Sequence, residues 1–183
     1  MHSKLFLPAF LVMSQMAAGQ AETPIPSVSG QPIYYDSLLH SLTKLEATEA
    51  KFSHRRQGRT AVTTTFALEG GKSFVRLKFP ANGCFLVRLG DSDGEPSEWF
   101  ILFKADPEDE KRLATLIQGK KTPTITAESL GGGMVPYETK KLNNDLYEII
   151  PSILLNQGEY FFINKIGPAN EKNSVHAYAF GVD

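Results

Sequence analysis

The stretch Leu155-Asn156-Gln157-Gly158-Glu159-Tyr160-Phe161-Phe162-Ile163 decides the fold. A polar corner containing Gly158 runs straight into an aromatic strand, with Tyr160 two residues after the glycine. This spacing predicts a tyrosine corner, in which a Tyr near the start of a strand bonds back to the backbone of the preceding turn, as in immunoglobulin-like sandwiches. Side chains alternate across a strand, so Glu159 is expected on the face opposite Tyr160 and is expected to tolerate replacement.

Working outward, the period of two persists. Val62, Thr64, Phe66 and Leu68 alternate with more polar neighbours, as do Val75, Leu77 and Phe79, and then Phe85, Val87 and Leu89. Trp99, Ile101 and Phe103 follow, then Leu113, Thr115 and Ile117, then Tyr147 to Ile150, and finally Val175 to Val182. These runs are rich in β-branched and aromatic residues. Gly70-Gly71, Pro80-Ala81-Asn82-Gly83, Asp93-Gly94, Asn143-Asn144-Asp145 and Gly167-Pro168 punctuate them as turns, and Asp106-Pro107 is expected to cap a further hairpin. Many short strands without long helices predict an all-β chain, specifically an immunoglobulin-like antiparallel β-sandwich. Residues 36–52 admit two readings. Leu38, Leu42, Leu45, Glu49 and Phe52 fit a helical stripe with one polar interruption and Asp36 as its cap, whereas Leu42 to Glu46 also fits a strand.

Residues 1–21 read as a signal peptide. Lys4 gives a positive start, nine apolar residues from Leu5 to Met13 follow, and Gly19-Gln20-Ala21 supplies small residues for cleavage. Nine are too few for a bilayer, which needs about 20. The expectation is an exported protein, periplasmic or extracellular, with a flexible leader over residues 22–32 and one sandwich domain over residues 33–183. With 19 basic and 20 acidic residues, the chain lacks the electrostatic footprint of nucleic-acid binding. Cys84 is the only cysteine, so no internal disulfide forms, and its place in an apolar strand predicts burial.

An ordered series of short elements carries a resemblance. Ile33-Tyr34-Tyr35-Asp36, Leu45-Glu46, Leu68-Glu69-Gly70-Gly71-Lys72-Ser73 with Val75-Arg76, Phe85-Leu86-Val87-Arg88-Leu89, Gly158-Glu159-Tyr160 and Phe180-Gly181-Val182-Asp183 follow one another along most of the mature chain. In that order they resemble a group of uncharacterised bacterial secreted proteins sharing "YY…LE…GxKSxVRF…FxVRL…GEY…FGVD". The resemblance implies that residues 33–36 and 42–46 are strands of a hairpin and residues 48–55 another strand. It supplies no catalytic residues. The chain departs from the pattern at Asn156-Gln157-Gly158, where a Pro-Gly is usual, and in residues 37–41, which are more helix-like.

Candidate chemistry is sparse. Asp91, Asp93, Glu95 and Glu98 share one loop, but the glycine falls at its fourth position instead of the sixth that an EF-hand needs, so calcium is expected to bind weakly or not at all. His54, Arg55, Arg56 and Arg59 form the one basic cluster; they suit an anion or partner contact, or the charged protection of an edge strand. Gly131-Gly132-Gly133 lacks the lysine and context of a phosphate loop. His40, His54 and His176 show no metal-ligand spacing, and no nucleophile elbow occurs. The sequence therefore predicts no catalytic, metal or cofactor residues. The first functional expectation is an exported non-enzymatic binding or envelope-associated module, its partner an envelope or surface protein. The second is a cell-surface assembly protein pairing through edge strands, and an enzyme is the third.

Overall fold

A computed structural model of the chain describes residues 24–57, 61–78, 83–89, 94–119, 133–166 and 173–183. The signal at residues 1–21 and the turns at Pro80-Ala81-Asn82 and Gly167-Pro168 lie outside the described residues. In chain order the strands are β1 (Ile33–Asp36), β2 (Ser41–Lys44), β3 (Glu46–Gln57), β4 (Ala61–Glu69), β5 (Arg76–Leu77), β6 (Gly83–Arg88), β7 (Phe100–Glu108), β8 (Lys111–Gly119), β9 (Met134–Val135), β10 (Tyr137–Lys141), β11 (Leu146–Pro151), β12 (Gly158–Asn164) and β13 (Ser174–Val182). Among the described residues one single-turn helix, α1 (Pro96–Trp99), precedes β7.

The chain is all-β, as its periodicity predicts. The layering differs from two open leaves. One sheet runs β10-β11-β6-β1-β2. The other closes on itself: β12, β13, β3, β4, β8 and β7 pair in sequence, and β7 pairs back to β12, all antiparallel. The result is a six-stranded barrel with the five-stranded sheet packed on one side. Local alternation is the same for an open leaf and a closed ring, so the period of two did not distinguish them.

The barrel wall facing the sheet is buried on both sides. Phe161 and Ile163 of β12 enter the lumen with Phe66, Leu68, Phe103 and Leu116. Tyr160 and Phe162 point the other way, into a layer shared with Tyr34, Phe85, Val87, Tyr147 and Ile149 of the five-stranded sheet. This is why Tyr160 to Ile163 is an unbroken apolar run: strands with two buried faces lose their polar phase. On β13, Ala177 and Ala179 face the lumen while Tyr178 and Phe180 face the sheet layer. A six-stranded ring is narrow, and five alanines (Ala50, Ala105, Ala114, Ala177, Ala179) make room inside it for the phenylalanines.

The tyrosine corner forms. The Tyr160 hydroxyl donates to the Asn156 carbonyl at 2.8 Å, its ring stacks on Phe180 with centroids 5.5 Å apart, and the residue is 2% exposed. Residues 36–52 form the β1–β2 hairpin and the start of β3; the strand that the resemblance implies over 42–46 is divided, β2 ending at Lys44 and Glu46 opening β3. Asp36 does cap a turn, but its Oδ1 accepts the Leu38 and Leu39 amides at 2.9 and 3.0 Å and closes the β1–β2 hairpin, so no helix follows. The β7–β8 hairpin turns at Asp109-Glu110, both at positive φ (45° and 63°), and not at Asp106-Pro107, which belongs to β7. Two central residues at positive φ suit the twist of a tight hairpin. On β8 the inward phase is Arg112, Ala114 and Leu116, the reverse of the expected Leu113, Thr115 and Ile117.

Residues 24–32 run against β6. Gly30 N–H donates to the Arg88 carbonyl at 2.6 Å, and Arg88 in turn bonds Asp145 at 2.7 and 2.9 Å and the Pro26 carbonyl at 3.5 Å. Cys84 is buried and unpaired on the outer face of the five-stranded sheet, beside Tyr35, Leu86 and Leu146. Burial and the neighbouring Glu148 push its thiol up to about 12.

Two outcomes follow from this packing. Tyr160→Phe removes the bond to Asn156 and is expected to cost about 1–3 kcal/mol in urea melts. Tyr160→Ala also opens a cavity and is expected to cost about 3–5 kcal/mol; a Phe variant as stable as wild type would show that the corner bond contributes nothing. Cys84 is expected to react slowly with a thiol reagent in the native state and rapidly on unfolding, since little thiolate forms and the site is closed.

Candidate functional site

Two groups of polar side chains stand out against this apolar frame. The first closes one end of the barrel. Arg112, 1% exposed, lies on the inward phase of β8. It donates to both Glu46 oxygens at 3.0 and 3.1 Å, to the Gly70 carbonyl at 2.9 Å and to the Glu69 carbonyl at 3.0 Å. The guanidinium thus has a carboxylate for its charge and carbonyls for its remaining donors, which a buried cation requires. Burial alone would raise the Glu46 carboxyl. Hydrogen bonds from Arg112 and Ser73, the Arg112 charge and the Phe74 amide outweigh it, and the group sits below its ordinary value.

Beside this pair, Glu159 accepts the Ser73 amide at 2.8 Å and forms an ion pair with Arg76. Arg76 also pairs with Asp183 at 2.6 Å. These hydrogen bonds raise the Arg76 guanidinium further and hold the Asp183 carboxyl low. The guanidinium lies against Gly181, where an added Cβ would have to displace it from its carboxylate partners. The expectation that Glu159 is dispensable is therefore overturned. It does face away from Tyr160, but that face is the barrel end, and Glu159 is 8% exposed. The elements that carry the resemblance, Leu45-Glu46, Gly70 to Arg76, Gly158-Glu159-Tyr160 and Phe180 to Asp183, meet in this one cluster. Every charge here has an opposite partner, so the cluster is a closure, not an open site.

The second group lines an open groove of about 360 Å³ beside β3 and β13. Glu49 and His176 are directly opposed in register, and Ala47 opposes Tyr178 one step on. Gln31, just before β1, forms the facing rim. The Ser174 hydroxyl donates to Glu49 Oε2 at 3.0 Å. Its proton is thereby committed to a carboxylate, where a serine nucleophile needs an imidazole base. The His176 imidazole makes no hydrogen bond among the described residues, and both His176 and Glu49 are half-buried. Burial raises the Tyr178 phenol, so it stays a neutral donor. The sequence does not link Glu49 to His176, because nothing local connects positions so far apart in the chain.

A second recess, about 240 Å³, lies between α1, β7 and β9. Its walls include Phe100, Leu102, Val135 and Tyr137, and Lys165, the one cation among its described lining residues, already donates to the Ser97 carbonyl at 2.7 Å.

Of the predicted contact residues, His54, Arg55 and Arg56 are exposed, and Arg59 lies outside the described residues. They occupy the part of β3 that extends past β13, whose pairing with β3 stops at Ser174 and Lys51. His54 is engaged with Thr64 Oγ1 at 2.9 Å. The acidic loop is described only from Gly94 onward, and Gly131 and Gly132 also lie outside the described residues. Among the described residues no group of three His, Cys, Asp or Glu side chains is placed to hold a metal. Comparison with protein-family models, with curated proteins and with solved structures gives no match for this chain.

Removing one partner from the closed barrel end should be costly. Glu46→Gln leaves the Arg112 charge buried without its counter-ion and is expected to cost about 3–5 kcal/mol by urea denaturation. Glu159→Ala is expected to cost less, about 1–3 kcal/mol, since Arg76 is one-third wetted. The Glu46 carboxyl is depressed in the folded state, so its stabilisation is complete above the unfolded value of about 4.3 and is lost as pH falls through the folded value. The acid limb of a stability–pH curve should therefore be shallower in Glu46→Gln than in wild type.

Proposed function

We propose that the protein is an exported, non-enzymatic binding module whose ligand site is the groove beside Glu49, His176 and Tyr178. The observation that carries this reading is the groove itself: polar groups from two strands and from the segment before β1 converge on one recess of small-molecule size. The bond from Ser174 to Glu49 favours binding over acyl transfer. The assembly reading is not favoured. The open edges of the five-stranded sheet, β2 (Ser-Leu-Thr-Lys) and β10 (Tyr-Glu-Thr-Lys-Lys), are mostly polar, and His54, Arg55 and Arg56 put charge on the overhang of β3, the pattern of edges guarded against pairing.

The pattern of residues 1–21 supports export to the periplasm or beyond. The convergence of the shared motif residues on the barrel end supports kinship with the secreted group that they resemble. The tyrosine corner supports an immunoglobulin-like descent for the two facing layers, against which stands the closed ring.

Titration of the purified chain with pooled small polar metabolites, followed by amide NMR, tests the site. Saturable shifts are expected at Glu49, His176 and Tyr178. Shifts centred instead on the exposed apolar Ile153 and Leu154 would overturn the assignment. N-terminal sequencing of the exported protein is expected to begin within a few residues of Glu22, and retention of Met1 would overturn export.

A further inference from the structure

Among the described residues that line the groove, Glu49 is the one carboxylate and none is Lys or Arg; the nearest cation in register, Lys51 opposite Ser174, is exposed and outside the lining. A neutral hydroxyl, that of Ser174, holds one carboxylate oxygen, so the carboxylate is oriented without being neutralised. Among the described residues Glu49 enters no ion pair, in contrast to Glu46, Glu159, Asp145 and Asp183.

Register fixes what surrounds it. Directly opposed residues on one face of an antiparallel pair have Cβ atoms about 4.5–5.5 Å apart. The carboxylate of Glu49 and the imidazole of His176 therefore flank one spot. One step along, Ala47 opposes Tyr178, and because Ala47 offers only a methyl group the space above the ring stays open. Tyr178 is itself anchored, packed edge-on to Phe100 in the layer below.

We infer that the groove binds a small organic cation, an ammonium or guanidinium group that meets Glu49, with an apolar stem lying over Ala47 and beside Tyr178. The inference rests on the groove being the ligand site and adds the class of ligand. A charge-assisted hydrogen bond to the carboxylate is about twice as strong as a neutral one. An unprotonated imidazole can accept a further N–H of the same group, and an aromatic ring beside a cation adds a favourable contact. An anion finds no Lys or Arg among the described lining residues and meets the Glu49 charge.

The test uses the full chain after export, with agmatine as the cationic probe, citrate as the anionic one, glucose as the neutral one and Zn²⁺ as a metal arm, each followed by amide NMR. Saturable shifts around Glu49, His176 and Tyr178 are expected with agmatine alone. Glu49→Gln is expected to weaken agmatine by about tenfold or more, which is 1.4 kcal/mol or more. Ala47→Tyr, at an exposed position that keeps every polar group, is expected to fill the space and abolish binding while leaving the remaining spectrum intact. Agmatine affinity unchanged in Glu49→Gln would overturn the inference. So would groove binding by citrate, glucose or Zn²⁺ in preference to agmatine, and in that case the groove stands as a site while the ligand class falls. If none of the four probes moves groove resonances, both fall.

Discussion

Everything in this fold depends on one wall of strands having no solvent face. β12 and β13, with β7 beside them, separate the barrel lumen from the layer under the five-stranded sheet. Each side makes a different demand. The layer takes Tyr160, Phe162, Tyr178 and Phe180; the lumen takes Phe161 and Ile163 from β12 but only Ala177 and Ala179 from β13. A slip of one residue in β13 would push Tyr178 and Phe180 into a lumen sized for alanine and turn the alanines toward a layer that needs aromatic rings. Overpacking of a single side chain costs about 1–3 kcal/mol, and the void left on the other face adds to it. Register is therefore fixed by shape on both faces at once.

Closing so narrow a ring creates a second requirement at its end. The chain meets it with Arg112–Glu46 and with Arg76 between Glu159 and Asp183, instead of with apolar side chains. Buried ion pairs contribute little net stability, because desolvation offsets most of the Coulomb attraction. Their effect here is geometric. Glu46 begins β3, Arg112 is on β8, Glu159 on β12 and Arg76 on β5, and the loop through Ser73 is held by the same carboxylates. Strands that are distant in sequence must arrive together for any of these charges to be satisfied, which selects one closure over its neighbours.

The strands were legible because each carries its own alternation, and the tyrosine corner because its parts are four residues apart. Three things were not. Asp36 offered capping chemistry that serves a helix or a turn equally, and the decision belonged to Tyr34 and Tyr35 pairing with Phe85 and Cys84. On β8, Leu113 and Ile117 outweigh Ala114 in hydrophobicity, so the apolar phase looked outward. The inward place of Arg112 makes sense only with Glu46 in view. Ring closure rests on Phe103 meeting Phe161 across β7 and β12, a long-range pairing with no local signature.

The groove belongs with that third class. Glu49 and His176 face each other only because β3 and β13 are in register, and that register is the one set by the two-sided wall. Tyr178 belongs to both regions: its ring packs in the layer with Phe100 while its edge lines the groove. A site built this way inherits rigidity from the core, since its side chains stand on paired strands and not on loops. Only the rim at Gln31 comes from a loop, and that segment is tied down through Gly30 and Arg88. The strands that carry carboxylate, imidazole and phenol are thus placed by packing that no ligand has to organise, and a ligand bound there would be spared part of the ordering cost that a loop-built site carries.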